Sequence, residues 1–375
     1  MADALKDIYN PKFLNDFGCM VKAAYKDFQC EGFVSSVTAP PWDELPLRAR
    51  MHRIAEVLGN SLPKNYRDAL EVLFSVDEYC NGFPYLFFPD FVAAFGQSEQ
   101  HWELSMNALE RFTQRSSSEF AIRPFMLREP ERVMEYMFRW SSHSNEHVRR
   151  FSSEGCRPRL PWGTALPMFK KDPSPVLRVL EQLKADPSLY VRKSVANNLN
   201  DIAKDNPDAV LQTARKWMGT SPETDWILRQ GCRTLVRNAH PEALALFGYA
   251  KASKKKPLYG NAILTAEPGQ LHIGDSCELT YLLDMNRDTK VRIRLEYGID
   301  LIKSNGRPSR KLFLLTDKTV SGKAHLSGTR THSFAELTTR HHYPGIHRIV
   351  LLINGQEAAQ TTVLLQEAKT GQELP

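Results

Sequence analysis

Trp140-Ser-Ser-His-Ser-Asn-Glu-His-Val-Arg-Arg-Phe-Ser-Ser-Glu-Gly-Cys-Arg-Pro-Arg-Leu-Pro-Trp162 contains the dipeptide that decides the fold, Val148-Arg149. It returns as Val191-Arg192 and as Leu228-Arg229, at separations of 43 and 37 residues, each time opening a helical pattern. Periods of that length predict stacked helix pairs of the HEAT-like type, a solenoid with a concave binding surface. Ile122-Arg123 is a fourth and more divergent opening, with a partner helix across 132–140. The second helices of the later units fall at 176–183 and 209–217. Helical patterns at 47–58, 66–74 and 102–112 extend the array toward the N-terminus, past a looser Phe- and Pro-rich segment at 81–91.

The pattern changes at Lys251-Ala-Ser-Lys-Lys-Lys-Pro257, a charged and helix-poor linker. Beyond it, 277–283, 290–297, 311–315, 347–353 and 361–365 alternate or are rich in branched residues, with Asn, Asp and Gly turns between them. About a hundred residues of short strands point to an immunoglobulin-like sandwich. The expected fold is mainly α: a HEAT-like helical-repeat domain at 1–250, a basic linker at 251–260, an Ig-like β-sandwich at 261–367 and a polar tail at 368–375. Tyr343-Pro-Gly-Ile-His347 reads as a structural corner of the sandwich rather than as a catalytic histidine site.

A chain of 375 residues can bury a large core without staples. Its six cysteines are scattered with no zinc-like pairing, and read as reduced thiols. The apolar runs are too short to span a bilayer, so a cytoplasmic monomer with no membrane partner is expected. The net charge of +6 is uneven: residues 251–350 hold 17 Lys and Arg against 9 Asp and Glu, a surplus of +8 that leaves −2 for the rest. A basic module favours a polyanionic partner, although a solvated surface would look similar.

On a helix begun near Asn145, Val148, Phe151, Ser152 and Gly155 form the packing stripe, while Arg150, Glu154 and Arg157 lie opposite on an exposed face. Pro158 and Pro161 then take the chain out of the helix and present Trp162 from a stiff loop. Glu154 is either a surface partner of Arg150 or a functional carboxylate. Glu119 closes Ser116-Ser-Ser-Glu119, which matches a capping box, so capping and function both stand for it. Phe120 and Trp162 fit either a core or a platform for a sugar or base. Arg149, Arg192 and Arg229 recur at one position per unit, as an inter-repeat ladder with acids such as Asp201 or as phosphate clamps. Asn198 falls on a buried stripe; Lys193, Asn197 and Asn200 point away from it, as do Gln230, Arg233 and Arg237 in the next unit. No GxGxxG, Walker loop, Ser-His-Asp order or metal spacing is present, which leaves any chemistry to carboxylates and shape.

These residues carry a resemblance to the AlkC family, HEAT-like-repeat DNA glycosylases of bacteria related to AlkD. It spans Leu5-Lys-Asp-Ile-Tyr-Asn10, Leu62-Pro-Lys-Asn-Tyr66, the 140–162 stretch, 186–206 and the Ig-like module. The resemblance implies base excision repair: hydrolysis of the N-glycosidic bond of cationic alkylated bases such as 3-methylcytosine and 3-methyladenine in duplex DNA. It implies no metal and no nucleotide cofactor, and a lesion processed in bent DNA without base flipping. By motif it places the catalytic role on Glu154 and Glu119, with Trp162 and Phe120 at the lesion or deoxyribose. Arg149, Arg150, Arg157, Arg159, Arg192, Lys193, Arg229 and Arg233 become the DNA-backbone set. In the Ig-like module, Arg307, Arg310, Lys311 and Arg330 are candidates to complete the grip. The Trp-rich aspartate motif of AlkD is absent. A non-catalytic HEAT-type adaptor, or a sensor of alkylated DNA, is the alternative, and turnover distinguishes them.

Overall fold

The computed structural model describes residues 5–250, 257–337 and 340–369. The chain divides into two compact units, one ending at Cys232 and one beginning at Arg233.

The first unit is helical. It begins with α1 (Pro11–Ala24), α2 (Cys30–Thr38), α3 (Leu47–Ser61), α4 (Tyr66–Val76) and α5 (Phe87–Phe95). It continues through α6 (Trp102–Thr113), α7 (Ile122–Arg128), α8 (Pro130–Trp140), α9 (Glu146–Glu154) and α10 (Pro167–Lys171). Then follow α11 (Ser174–Leu183), α12 (Leu189–Ile202), α13 (Pro207–Trp217) and α14 (Pro222–Gly231). The starts follow local chemistry: Asn10, Asn65 and Asn145 each accept a backbone N–H of the first turn, and Pro opens α8, α10, α13 and α14. Val148-Arg149 and Val191-Arg192 lie in the first turns of α9 and α12, whereas Leu228-Arg229, expected to open a helix, falls in the last turn of α14, which Ser221 and Pro222 open instead; α12 packs against both of the others. Val148, Phe151, Val191, Val195, Leu199 and Leu228 are fully buried between them. The segment at 81–91 holds a short 3-10 turn, Phe83–Tyr85, and most of α5, whose Phe87, Phe88 and Phe91 are core residues.

The second unit opens with two short helices, α15 (Arg233–Arg237) and α16 (Pro241–Leu246), ahead of the change in composition at 251. Eight strands follow: β1 (Tyr259–Glu267), β2 (Gln270–His272), β3 (Ser276–Met285), β4 (Val291–Ile302), β5 (Pro308–Val320), β6 (His325–Ser333), β7 (Gly345–Ile353) and β8 (Gln356–Gln366). They form a three-stranded sheet, β1-β3-β6, and a five-stranded sheet, β2-β8-β7-β4-β5, antiparallel except for the β2–β8 pair. Both sheets share one core, in which Leu279 and Leu283 meet Ile293, Leu295, Ile349, Leu351 and Val363. The expected strands all lie within observed ones, save that 290–297 begins one residue ahead of β4, while β1, β2 and β6 carried no recognised pattern. His347 Nε2 sits 3.0 Å from the Tyr343 carbonyl oxygen, closing the corner expected at 343–347. Of the expected linker and tail, 251–256 and 370–375 lie outside the described residues.

Candidate active site

In α9 the packing stripe is as expected, but the opposite face is not exposed. Glu154 and Arg157 are 5% and 7% exposed, and Arg150 is largely covered. The reason is position: α9 packs on α8 and also meets α12, α11 and α6, so both of its faces are inside the unit. Charges placed there must find partners, since an unpaired buried charge is costly.

They do. Arg150 joins Glu119 through both terminal guanidinium nitrogens, donates to Ser117 Oγ at 2.8 Å, and lies 3.6 Å from Glu154 Oε1. Arg157 Nη1 donates to Glu154 Oε1 at 2.5 Å, and its Nε donates to Asp201 Oδ2 at 2.8 Å. Ser194 Oγ donates to the other oxygen, Glu154 Oε2, at 2.5 Å. Both oxygens of Glu154 are thus fixed, while the charged partner of Glu119 is Arg150. Burial pushes the Glu119 carboxyl above its ordinary value, opposed by Arg150 and assisted by the negative charge of Glu154. Burial likewise opposes the charge of Arg150, but Glu119 and Glu154 outweigh it and hold the guanidinium ionised.

The capping box is overturned. Helix α7 begins only at Ile122, with no side-chain cap, because Ser116 and Ser118 turn back to carbonyls of α6: Ser118 Oγ donates to Leu109 O at 2.8 Å. Glu119 is left on the loop before α7, aimed at Arg150.

Trp162 is 68% exposed, with a left-handed backbone (φ 61°), a strained conformation for a tryptophan. A buried arginine holds its loop. Arg123, 1% exposed, donates to the carbonyls of Gly155 (3.3 Å), Arg157 (3.1 Å) and Thr164. Gly163 lets the strand of loop pass close by, since a Cβ there would lie 3.3 Å from Arg123 Cδ and 3.0 Å from Leu160 Cδ2. Burial drives the Arg123 guanidinium down to about 10.

Glu119, Phe120, Arg150, Glu154, Arg157 and Trp162 line one cavity of about 400 Å3. Sequence reasoning missed three of its walls: Tyr190, the turn at Gly82 and Phe83, and Leu86. Tyr190 stands directly before Val191-Arg192, as His147 stands before Val148-Arg149, and the two rings meet edge-on at 5.5 Å. Its face lies 5.2 Å from the Arg150 guanidinium. Among the described residues no three His, Cys, Asp or Glu converge as metal ligands.

Other candidates lie outside this cavity. Arg149 pairs with Asp186 through two bonds of 2.7 and 3.2 Å and donates to the carbonyls of His143 and Ser144. Arg192 donates to the carbonyls of Asp186 and Pro187, both at 2.8 Å. The recurring arginine therefore ties down the loop five and six residues before it. Asp201, expected as its ladder partner, instead takes Arg157 and Lys204. Arg159 pairs with Asp205. Lys193, Arg229 and Arg233 are exposed; Asn200, expected to face outward, is buried. Asn198 is buried as expected and donates to the Ser153 carbonyl at 2.8 Å.

Comparison with known proteins agrees with this architecture. Residues 261–367 match the family described as the C-terminal Ig-like domain of YhaZ. The "Uncharacterized protein YhaZ" of Bacillus subtilis (strain 168) is 46% identical over 356 residues, 95% of this chain and 97% of its own. A solved structure, the alkylpurine DNA glycosylase AlkC of Pseudomonas fluorescens bound to DNA containing an abasic site analog, superposes with a TM-score of 0.91. It is 36% identical and covers 97% of this chain and 100% of that one. Identity of this order over the whole of both units means that the chain belongs to the AlkC family, together with YhaZ.

Proposed function

We propose that the protein is a monofunctional DNA glycosylase that hydrolyses the N-glycosidic bond of cationic alkylated bases, such as 3-methylcytosine and 3-methyladenine, in duplex DNA. The observation that carries this is the pair of buried carboxylates, Glu119 and Glu154, bridged by Arg150 on the wall of a cavity edged by an exposed Trp162. The activity of the P. fluorescens relative supports it.

The chemistry follows from charge. When the C1′–N bond breaks, both electrons leave with the cationic base, which departs neutral, and the sugar becomes an oxocarbenium-like cation. A carboxylate fixed beforehand stabilises that cation without reorganising. Glu154, with one oxygen held by Arg157 and the other by Ser194, suits this constant role. Water must then attack C1′ and lose a proton. Glu119 suits proton acceptance, because its raised pKa makes it a stronger base than an ordinary carboxylate. Arg150 and Arg157 are committed to the carboxylates, so their part is to position them rather than to clamp phosphates. Trp162 and Phe120 would flank the deoxyribose or lesion, and the protein would act as a single chain on bent duplex without drawing the base into a deep pocket. An adaptor reading gives no use to two buried carboxylates beside an open cavity.

The test is base release from duplexes carrying 3-methylcytosine or 3-methyladenine. Glu154→Gln should lower turnover by roughly 10²–10³-fold, the usual cost of one preorganised electrostatic group. Wild-type protein that releases no more base than Glu154→Gln would refute the proposal.

A further inference from the structure

Arg48, in the first turn of α3, is half-buried beside the cavity, and its guanidinium carbon lies 4.1 Å from the centroid of the Phe120 ring. Phe120 lines the cavity and follows Glu119 in the chain. Arg149, Arg150, Arg157, Arg159 and Arg192 all donate to protein acceptors. Among the described residues Arg48 has no hydrogen bond and no ion pair. The two carboxylates that act on it electrostatically, Asp90 and Glu119, are engaged elsewhere: Asp90 lies 2.9 Å from His52 Nδ1, and Glu119 is taken by Arg150. Burial lowers the Arg48 pKa, so this is a partly desolvated cation without a direct counter-ion.

Stacking alone does not require that state. Arg50, on the same helix, lies 4.8 Å from the Trp42 ring, yet it donates to the carbonyls of Lys6 (3.0 Å) and Asp43 (3.4 Å). A guanidinium placed over an aromatic ring keeps N–H donors to spare, since the ring takes none of them as a lone-pair acceptor, and its forked donors match two oxygens of a phosphate. For a deoxyribose to reach Glu119, its own phosphodiester must pass close to the adjacent Phe120 and to what is stacked on it.

We propose that Arg48 is an anion site for the phosphodiester flanking the deoxyribose that enters the cavity, a proposal that rests on the glycosylase reading above. The cation stays on the side chain throughout; phosphate replaces water on its N–H edge and releases a counter-ion from the DNA. The same contact would fix Phe120 against the sugar.

The experiment measures binding of full-length protein to a duplex carrying an abasic-site analogue, over a series of salt concentrations. Arg48→Ala should bind roughly tenfold more weakly, the cost of a charge-assisted hydrogen bond. Its slope of log affinity against log salt should shrink by about 0.9, the value of one phosphate. Arg48→Lys should keep the slope, because the charge remains. Arg48→Gln, which fills similar volume over Phe120 without the charge, gives the same reading if the alanine variant folds poorly. A wild-type slope in both uncharged variants overturns the anion site and leaves the glycosylase reading standing. Wild-type protein without salt-dependent duplex binding overturns both.

Discussion

Replacing Arg123 with methionine tests whether the strained Trp162 loop is held from beneath. The side chain is 1% exposed and donates to three carbonyls of the loop, those of Gly155, Arg157 and Thr164. Three charge-assisted bonds contribute roughly 4.5–9 kcal/mol at about 1.5–3 kcal/mol each. Against this stands the burial of the charge, which lowers the guanidinium from 12.5 to about 10 and costs roughly 3 kcal/mol. The net loss in Arg123→Met should be roughly 2–6 kcal/mol of stability, large for one residue because two buried carbonyls and a part-buried one lose their donor. The left-handed conformation of Trp162 costs about 1–3 kcal/mol on its own, so a loop released from Arg123 should relax out of it. Two measurements separate packing from positioning: urea unfolding, and base release at saturating duplex. Turnover should fall while the salt slope of DNA binding stays at its wild-type value, since Arg123 touches no solvent. Arg123→Lys, which can reach only part of the carbonyl set, should recover some of both losses. A methionine variant within about 1 kcal/mol of wild type refutes the clamp. An unstable variant with undiminished turnover in its folded fraction refutes the link to Trp162.

Two further outcomes follow from the same geometry. Asp186→Ala leaves the partly covered Arg149 without its carboxylate and removes the acceptor of the Ser188 N–H; unfolding should show a loss of about 1–3 kcal/mol, with an unchanged salt slope that sets this arginine apart from a phosphate clamp. The rate of base release should have an acid limb set by Glu119: its raised pKa means the carboxyl loses its charge, and its capacity to accept a proton, as pH falls through a value above the ordinary 4.5, so a pH–rate profile flat down to 4.5 contradicts its role as base.

The fold was legible where packing and sequence period coincide. The recurring Val-Arg pairs lie in the first turns of their helices and the Leu-Arg pair in the last turn of its own; these helices stack on one another, and their apolar stripes are buried as the period requires. Five strands announced themselves by branched, alternating residues. The edge strand β6, His325–Ser333, did not, because it is mostly exposed and needs no apolar alternation to hold its place beside β3. The candidate carboxylates, Phe120 and Trp162 were legible by motif, but the burial of the carboxylates was not. Helical periodicity identifies one packed face and leaves the other to be taken as solvent. In a helix with neighbours on both sides that inference fails, and it failed for Arg150, Glu154 and Arg157. Arg123 was hidden for another reason: its partners are backbone carbonyls, which carry no residue signature.

The repeat also explains where the cavity arises. Arg149 and Arg192 hold equivalent places and do equivalent work, each fastening the loop before its own helix. Recurrence at that position marks a structural part. The proposed site residues are those that break the repeat: 43 residues on, Lys193 stands for Arg150, Asn197 for Glu154, Asn200 for Arg157 and Asp205 for Trp162. Only the earlier unit has a carboxylate on that face. The later one supplies its support instead, through Ser194 to Glu154, Asp201 to Arg157 and Tyr190 beneath Arg150. A cavity between two stacked units can thus be built by letting one unit carry the paired charges and its neighbour carry their partners. Ser194→Ala should release Glu154 Oε2 and the Ser153 hydroxyl, lowering turnover while leaving the Arg48-dependent part of DNA binding untouched, whereas exchanging the exposed Lys193 should alter binding and spare turnover.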